Sequence, residues 1–176
     1  ISLSQDVQGE TFDYPEEFFN EKIHTIRRPR PDDYQIKQAA DLIKKSKNPI
    51  IISGGGIFYS DAMKELSQFA KKHNIPTAQT VMGYSTMKKD DPYFLGAIGG
   101  FGGKAPNDFM KKTDLAIAIG TKLADFTTGS WTNFENPNFK LVSINVSRFD
   151  ANKHMAQSIV GDAKVSIQAV SYTHLR

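Results

Sequence analysis

The feature that most constrains this chain is Pro49-Ile50-Ile51-Ile52-Ser53, a strand-length apolar run that stops at Gly54-Gly55-Gly56. A strand apolar at successive positions has no polar face to offer water. Both faces must be covered, as in a parallel sheet with helices on either side. Leu115-Ala116-Ile117-Ala118-Ile119-Gly120 repeats the pattern, apolar throughout and then glycine. Thr77 to Val81, Lys140 to Val146 and Ser158 to Val160 supply further strands.

Helical spacing fills the gaps between them. Asp32 is placed to cap a helix, with Gln35 completing a capping-box pattern before Ile36, Ala39, Ala40 and Ile43. Ser60 is the expected cap of a second helix with Ala62, Leu66, Phe69 and Ala70 on its inner stripe. Pro106 suits the first turn of a third, and a last one is expected from about Ala163. Alternating strands and helices predict an α/β fold, a doubly wound, Rossmann-like parallel sheet with right-handed crossovers. Gly83 to Gly103 reads as a long glycine-rich stretch, and Gly120 to Phe139 mostly as loop.

Outside this core the pattern weakens. Ile1-Ser2-Leu3-Ser4 alternates like a strand, and a terminal strand needs a partner for its backbone groups. It is therefore read as a sign that the chain is cut from a longer one. Residues 9–31 carry Pro15, Pro29 and Pro31 without sustained periodicity and read as a linker. Tyr14, Phe18, Phe19 and Ile23 are expected to pin that linker to a neighbouring surface. The central domain then spans 32–170. Residues 171–176 have no apolar spacing that continues the last helix and read as a non-native tail.

Composition removes several function classes. Zero cysteines excludes disulfides, thiolate metal sites and cysteine nucleophiles, and fits a cytoplasmic protein. No apolar run approaches the roughly 20 residues of a membrane helix, so no membrane role is expected. Arg27-Arg28-Pro29-Arg30 is the one dense basic run; without a basic face and interleaved aromatics it reads as solvated linker, not nucleic-acid contact.

Ligands of open parallel sheets bind beyond the carboxyl ends of the strands. The candidate cofactor-binding residues are accordingly Gly54, Gly55, Gly56, Gly120, Thr121 and Lys122. The dinucleotide fingerprint would need a third glycine where Tyr59 stands, so the turn is either a nucleotide site or purely structural. The second glycine cluster, Gly96 to Gly103, is either a mobile loop or one lying close against another backbone. His24, His73, His154 and His174 are far apart, with no metal-site spacing; His73, at a helix end, suits the dipole as a cation. No Ser sits in a nucleophile elbow, and no carboxylate pair has an apolar setting. No catalytic or metal-ligating residue is expected in this chain.

In order along the chain, several segments resemble the central domain of thiamine-diphosphate-dependent enzymes, such as acetolactate synthases and 2-oxo acid decarboxylases. They are Lys47 to Gly56, Asn74 to Thr80, Thr113 to Leu123 and Ile159 to Ala163. Gln5-Asp6-Val7-Gln8, Phe12-Asp13-Tyr14-Pro15, Ile26 to Pro29 and Ile144 to His154 are most similar to the inositol-catabolic branch, which hydrolytically opens a carbocyclic 1,2-diketone. The resemblance implies that 1–8 end a pyrimidine-binding domain. It further implies that thiamine diphosphate and Mg²⁺ are bound by flanking pyrimidine- and diphosphate-binding domains, and that the protein is a homodimer or homotetramer. The fragment would then be structural and inactive alone. Asn145-Val146-Ser147 stands where FAD- or ADP-holding members often have Asp-Ile-Asp, which argues against either nucleotide here. A carboligase of the acetolactate synthase type, or a lone nucleotide-binding module, are the alternatives.

Overall fold

The computed structural model describes residues 2–173. Six parallel strands form one sheet in the order β3-β2-β1-β4-β5-β6. They are β1 (Pro49–Ser53), β2 (Thr77–Gln79), β3 (Phe94–Ala97), β4 (Leu115–Ile119), β5 (Lys140–Asn145) and β6 (Gln157–Val160). The longer helices are α1 (Asp33–Lys45), α3 (Met63–His73), α4 (Lys104–Lys112) and α7 (Ala163–Thr173). Single-turn helices α2 (Gly56–Tyr59), α5 (Asp125–Thr128) and α6 (Arg148–Ala151) lie just past β1, β4 and β5.

The sheet is covered on both sides, as its all-apolar strands require. Ile51, Leu115, Ile117, Ile119, Val142, Ile144 and Ile159 face a core shared with α1, α3 and α7. The alternate residues Ile50, Ile52, Ala116, Ala118 and Leu141 face a second core with Met110, Trp131, Phe134 and Phe139. Every residue of β4 is buried. Its small alanines lie on the face where the aromatics pack.

Local signals were obeyed in part. Asp32 caps α1, accepting from the N–H groups of Tyr34 and Gln35 at 2.9 and 3.2 Å. Gln35 does not turn back to the cap; its side-chain oxygen accepts from Val160 N at 3.0 Å and so fastens edge strand β6 to α1. Ser60 does not cap α3, whose N-cap is Ala62. It closes α2, and its hydroxyl accepts from Ala163 N at 3.2 Å, at the start of α7.

The stretch Gly83–Gly103 holds an unexpected strand. β3 pairs with β2 through a register shift at which Leu95 is extra and Gly96 takes φ +109°. A four-residue edge strand interrupted by a glycine has too little pattern to be read without its partner. Gly120–Phe139 is mostly loop, relieved only by α5.

At the amino end, Ser2–Ser4 form no strand, and Ile1 lies outside the described residues. At the other end α7 continues through Ser171, Tyr172 and Thr173; the rest of the expected tail, 174–176, lies outside the described residues.

Candidate functional site

The strand order reverses between β1 and β4, so the crevice of this sheet lies between the glycine turns that follow them. Those turns are joined backbone to backbone. Gly54 N donates to Ile119 O and Gly56 N to Gly120 O, both at 2.9 Å. A Cβ on Gly54 would stand 2.4 Å from Gly120 O, which leaves that glycine buried and unavailable to a ligand.

The join divides the crevice in two. Over β1 and β2 lies a cavity of about 440 Å³, lined by Gly55, Tyr59, Met82, Thr121, Lys122 and Phe126 among others. Over β4 to β6 lies one of about 430 Å³, bounded by Tyr59, Ile144, Asn145, Val146, Asp162 and, from before α1, Ile26, Arg27 and Pro29. Gly56, Tyr59 and Gly120 belong to both. Of the six residues expected from sequence, five line this crevice and Gly54 does not. A larger cavity of about 710 Å³ lies between α3 and α7, away from the carboxyl end of the sheet.

In the β4–β6 half, Asn145 and Asp162 are already satisfied from within the chain. Asn145 donates to Thr121 O at 3.2 Å, and its oxygen accepts from Ser147 N at 3.0 Å. Asp162 is 3% exposed. One of its oxygens accepts from Val165 N at 3.2 Å, and the other from Arg28 at 3.1 Å. The Arg28 guanidinium also donates to Ser60 O at 2.5 Å, and Asp162 N donates to Pro29 O at 2.9 Å. Arg28 is thus not a solvated linker charge but the clamp that seats residues 26–31 on the β6–α7 turn. The dense basic run hid this, because only the fold supplies the buried acid.

The other half is apolar and open. Met82, Phe101 and Phe126 are exposed, and the rings of Phe101 and Phe126 stack with centroids 5.8 Å apart. The second glycine cluster lies against another backbone, one of the two expected alternatives. Gly100 N donates to Phe126 O at 2.8 Å, and a Cβ on Gly99 would meet that oxygen at 2.1 Å. Asn107 grips Gly99 by both its N–H (2.9 Å) and its carbonyl (3.1 Å). Phe101, which interrupts the glycines, was the one signal in sequence that this loop presents a side chain.

Titratable groups near the crevice serve the fold. The hydrogen bond from Lys153, at 2.8 Å, holds the Asp150 carboxyl below its ordinary range. Burial, aided by Lys153, lowers the His154 pKa, and the ring lies 4.3 Å from Trp131. His73 is likewise lowered, by burial and then by Lys72. Packing against Phe69 and the neighbouring Lys72 thus disfavour the cation expected at the end of α3. Among the described residues no three His, Cys, Asp or Glu side chains are grouped to hold a metal ion, and no helix is long and apolar enough to cross a membrane. With its one buried acid already paired, the crevice does not fit thiamine diphosphate with its metal.

A family model described as thiamine pyrophosphate enzyme, central domain, matches residues 36–170. The chain is 46% identical over 174 residues to a 3D-(3,5/4)-trihydroxycyclohexane-1,2-dione hydrolase of Clostridium botulinum (strain Alaska E43 / Type E3), covering 99% of this chain and 27% of that protein. The hydrolase of the same name from Bacillus cereus (strain AH820) is 42% identical over 170 residues, 97% of this chain and 26% of that protein. The chain thus spans about a quarter of the length of these curated relatives. An X-ray structure from Mycobacterium smegmatis, described as a thiamin diphosphate-dependent enzyme, superposes with a TM-score of 0.66 at 17% identity, covering 85% of this chain and 30% of that one. At that identity it shows the shared fold alone.

Proposed function

Because this chain belongs to the thiamine pyrophosphate enzymes, whose central domain it forms, we propose that it is the scaffold domain of a hydrolase that opens trihydroxycyclohexane-1,2-dione. The observation that carries the substrate assignment is identity of 46% across nearly the whole chain to hydrolases of that name. The geometry supports a scaffold role for this part of the protein. The glycine turns at the switch point are spent on each other, and Asn145 and Asp162 of the β4–β6 half are spent within the chain.

On this reading, thiamine diphosphate and Mg²⁺ are held by pyrimidine- and diphosphate-binding domains outside the described residues. This chain contributes no catalytic side chain. Gly55, Gly56, Gly120, Thr121 and Lys122 form its one switch-point crevice, with Gly54 as the buried joint behind them. The satisfied Asn145 and Asp162 speak against FAD or ADP in the β4–β6 half. Residues 1–8 end the preceding domain, 9–31 link it to this one, and the protein is a cytoplasmic homo-oligomer.

The test is ring opening by the full-length protein, loaded with thiamine diphosphate and Mg²⁺, on the dione. Consumption of the dione without any acceptor aldehyde or keto acid supports the hydrolase. Activity only as a carboligase on 2-oxo acids would overturn it.

A further inference from the structure

Residues 28–31 are where the segment before α1 joins this sheet, and several independent contacts make the joint. Arg28 donates to the Asp162 carboxylate at 3.1 Å and to Ser60 O. Pro29 O accepts from Asp162 N at 2.9 Å, so a side chain and a backbone carbonyl grip the same residue. A Cβ on Gly161 would stand 3.0 Å from Pro31 N, and the segment lies this close only because position 161 carries no side chain. Earlier in the chain the backbone bonds stay local, as from Gln8 N to Ser4 O and from Asn20 N to Glu17 O.

The joint is deeper than a surface ion pair. The Asp162 side chain is 4% exposed and that of Arg28 32%. A carboxylate at that depth is costly to leave unpaired, which gives Arg28 one stable seat. The chain around it is stiff as well. Pro29 and Pro31 fix their own φ and favour extended backbone at Arg28 and Arg30. A run of this kind acts as a semi-rigid spacer, so a direction set at Arg28 is carried to its neighbours. Ile26, Arg27 and Pro29 also bound the β4–β6 half of the crevice. The course of the segment and the shape of that half are therefore set together.

We propose that Arg28 and Asp162 are positioning residues: their ion pair sets the direction in which the connector leaves this sheet, and through it the placement of the preceding domain relative to the switch-point crevice. The proposal rests on the reading of residues 9–31 as the link to that domain. Neither residue touches substrate. Their effect on the reaction is geometric, since a displacement of about 1 Å at reacting groups costs about 100-fold in rate.

The test compares the full-length protein, loaded with thiamine diphosphate and Mg²⁺, with its Arg28→Gln, Asp162→Asn, doubly substituted and Arg28→Lys variants. Asp162→Asn keeps an acceptor for Val165 N, so α7 retains its cap. Ring opening of the dione is measured well below each melting temperature. Tryptic cleavage after Arg27 is followed in Asp162→Asn, whose sequence around that bond is the parent's; the bonds after Arg28 and Arg30 precede proline and resist trypsin. The expected result is a kcat at least about tenfold lower in both single variants, with KM within about twofold and no further fall in the double variant. Arg28→Lys recovers part of the loss, and cleavage after Arg27 is at least about tenfold faster in Asp162→Asn. A kcat and a cleavage rate within about twofold of the parent overturn the proposal. So does a loss of kcat that Arg28→Lys does not relieve while cleavage stays unchanged, the mark of a merely structural pair. A parent that leaves the dione intact overturns the hydrolase reading instead, and the cleavage comparison alone then decides whether the ion pair holds the connector.

Discussion

Gly56 and Gly120 lie so close that a Cβ on either would stand 2.6 Å from the Cα of the other. Their contact joins the turn after β1 to the turn after β4 and splits the crevice at the switch point.

Neither position therefore tolerates alanine. Gly56→Ala should cost about 1–3 kcal/mol through overpacking against a backbone that cannot yield. Gly120→Ala should cost roughly 1 kcal/mol more, because Gly120 also has φ +64°. Gly9, with nothing within 4 Å of its would-be Cβ, is the control. Urea unfolding of the three variants checks the ranking.

Asn145 is placed as a tie between the end of β5 and the turn after β4, not as a ligand contact. Asn145→Asp replaces its N–H donor with an oxygen facing Thr121 O, and should cost about 1–3 kcal/mol. The parent chain should show no saturable melting shift with FAD or ADP. A clear shift would end the view of this half as self-satisfied.

Asp114 sits at the opposite end of the sheet, before β4. Burial alone would raise its pKa, but the Ser46 hydroxyl and the N–H groups of Lys47 (2.8 Å) and Asn48 (3.0 Å) lower it overall. A folded-state pKa below the unfolded value of about 3.9 contributes stability that is complete above that pH. This contribution is lost as pH falls through the folded value. Denaturant midpoints measured from neutrality downward should drop on that acid limb, and Asp114→Asn should lower the neutral midpoint and flatten the limb.

His154 packs its ring on Trp131, the only tryptophan of the chain. Burial lowers its pKa from 6.5, so the neutral ring is the stabilising form. Its contribution is complete above that value and is lost as pH falls through the lower folded pKa. Trp131 fluorescence should titrate with a midpoint below 6.5, and His154→Ala should remove the transition. A midpoint above 6.5 would contradict the packing.

Much of the fold is legible without the structure, because β1 and β4 are apolar at every position and end in glycine. β3 is not legible: its strand character comes from β2 and from the bulge at Gly96. Ser60 departs from its expected capping role for a similar reason. Its hydroxyl serves a helix that starts about a hundred residues later. Five of the six crevice residues follow from the rule that parallel sheets bind at their carboxyl ends, whereas the aromatic wall from Met82, Phe101 and Phe126 comes from separate loops.

The sequence alone determined the layered α/β architecture and the absence of cysteine chemistry, because apolar periodicity and composition act locally and survive without a partner. Tertiary structure alone decided that Gly56 and Gly120 close on each other, that Arg28 finds a buried Asp162, and that Ser60 meets the start of α7 instead of capping α3. Each of these depends on groups distant in the chain meeting or failing to meet, and steric exclusion and ion pairing act only at short range once the sheet has brought them together.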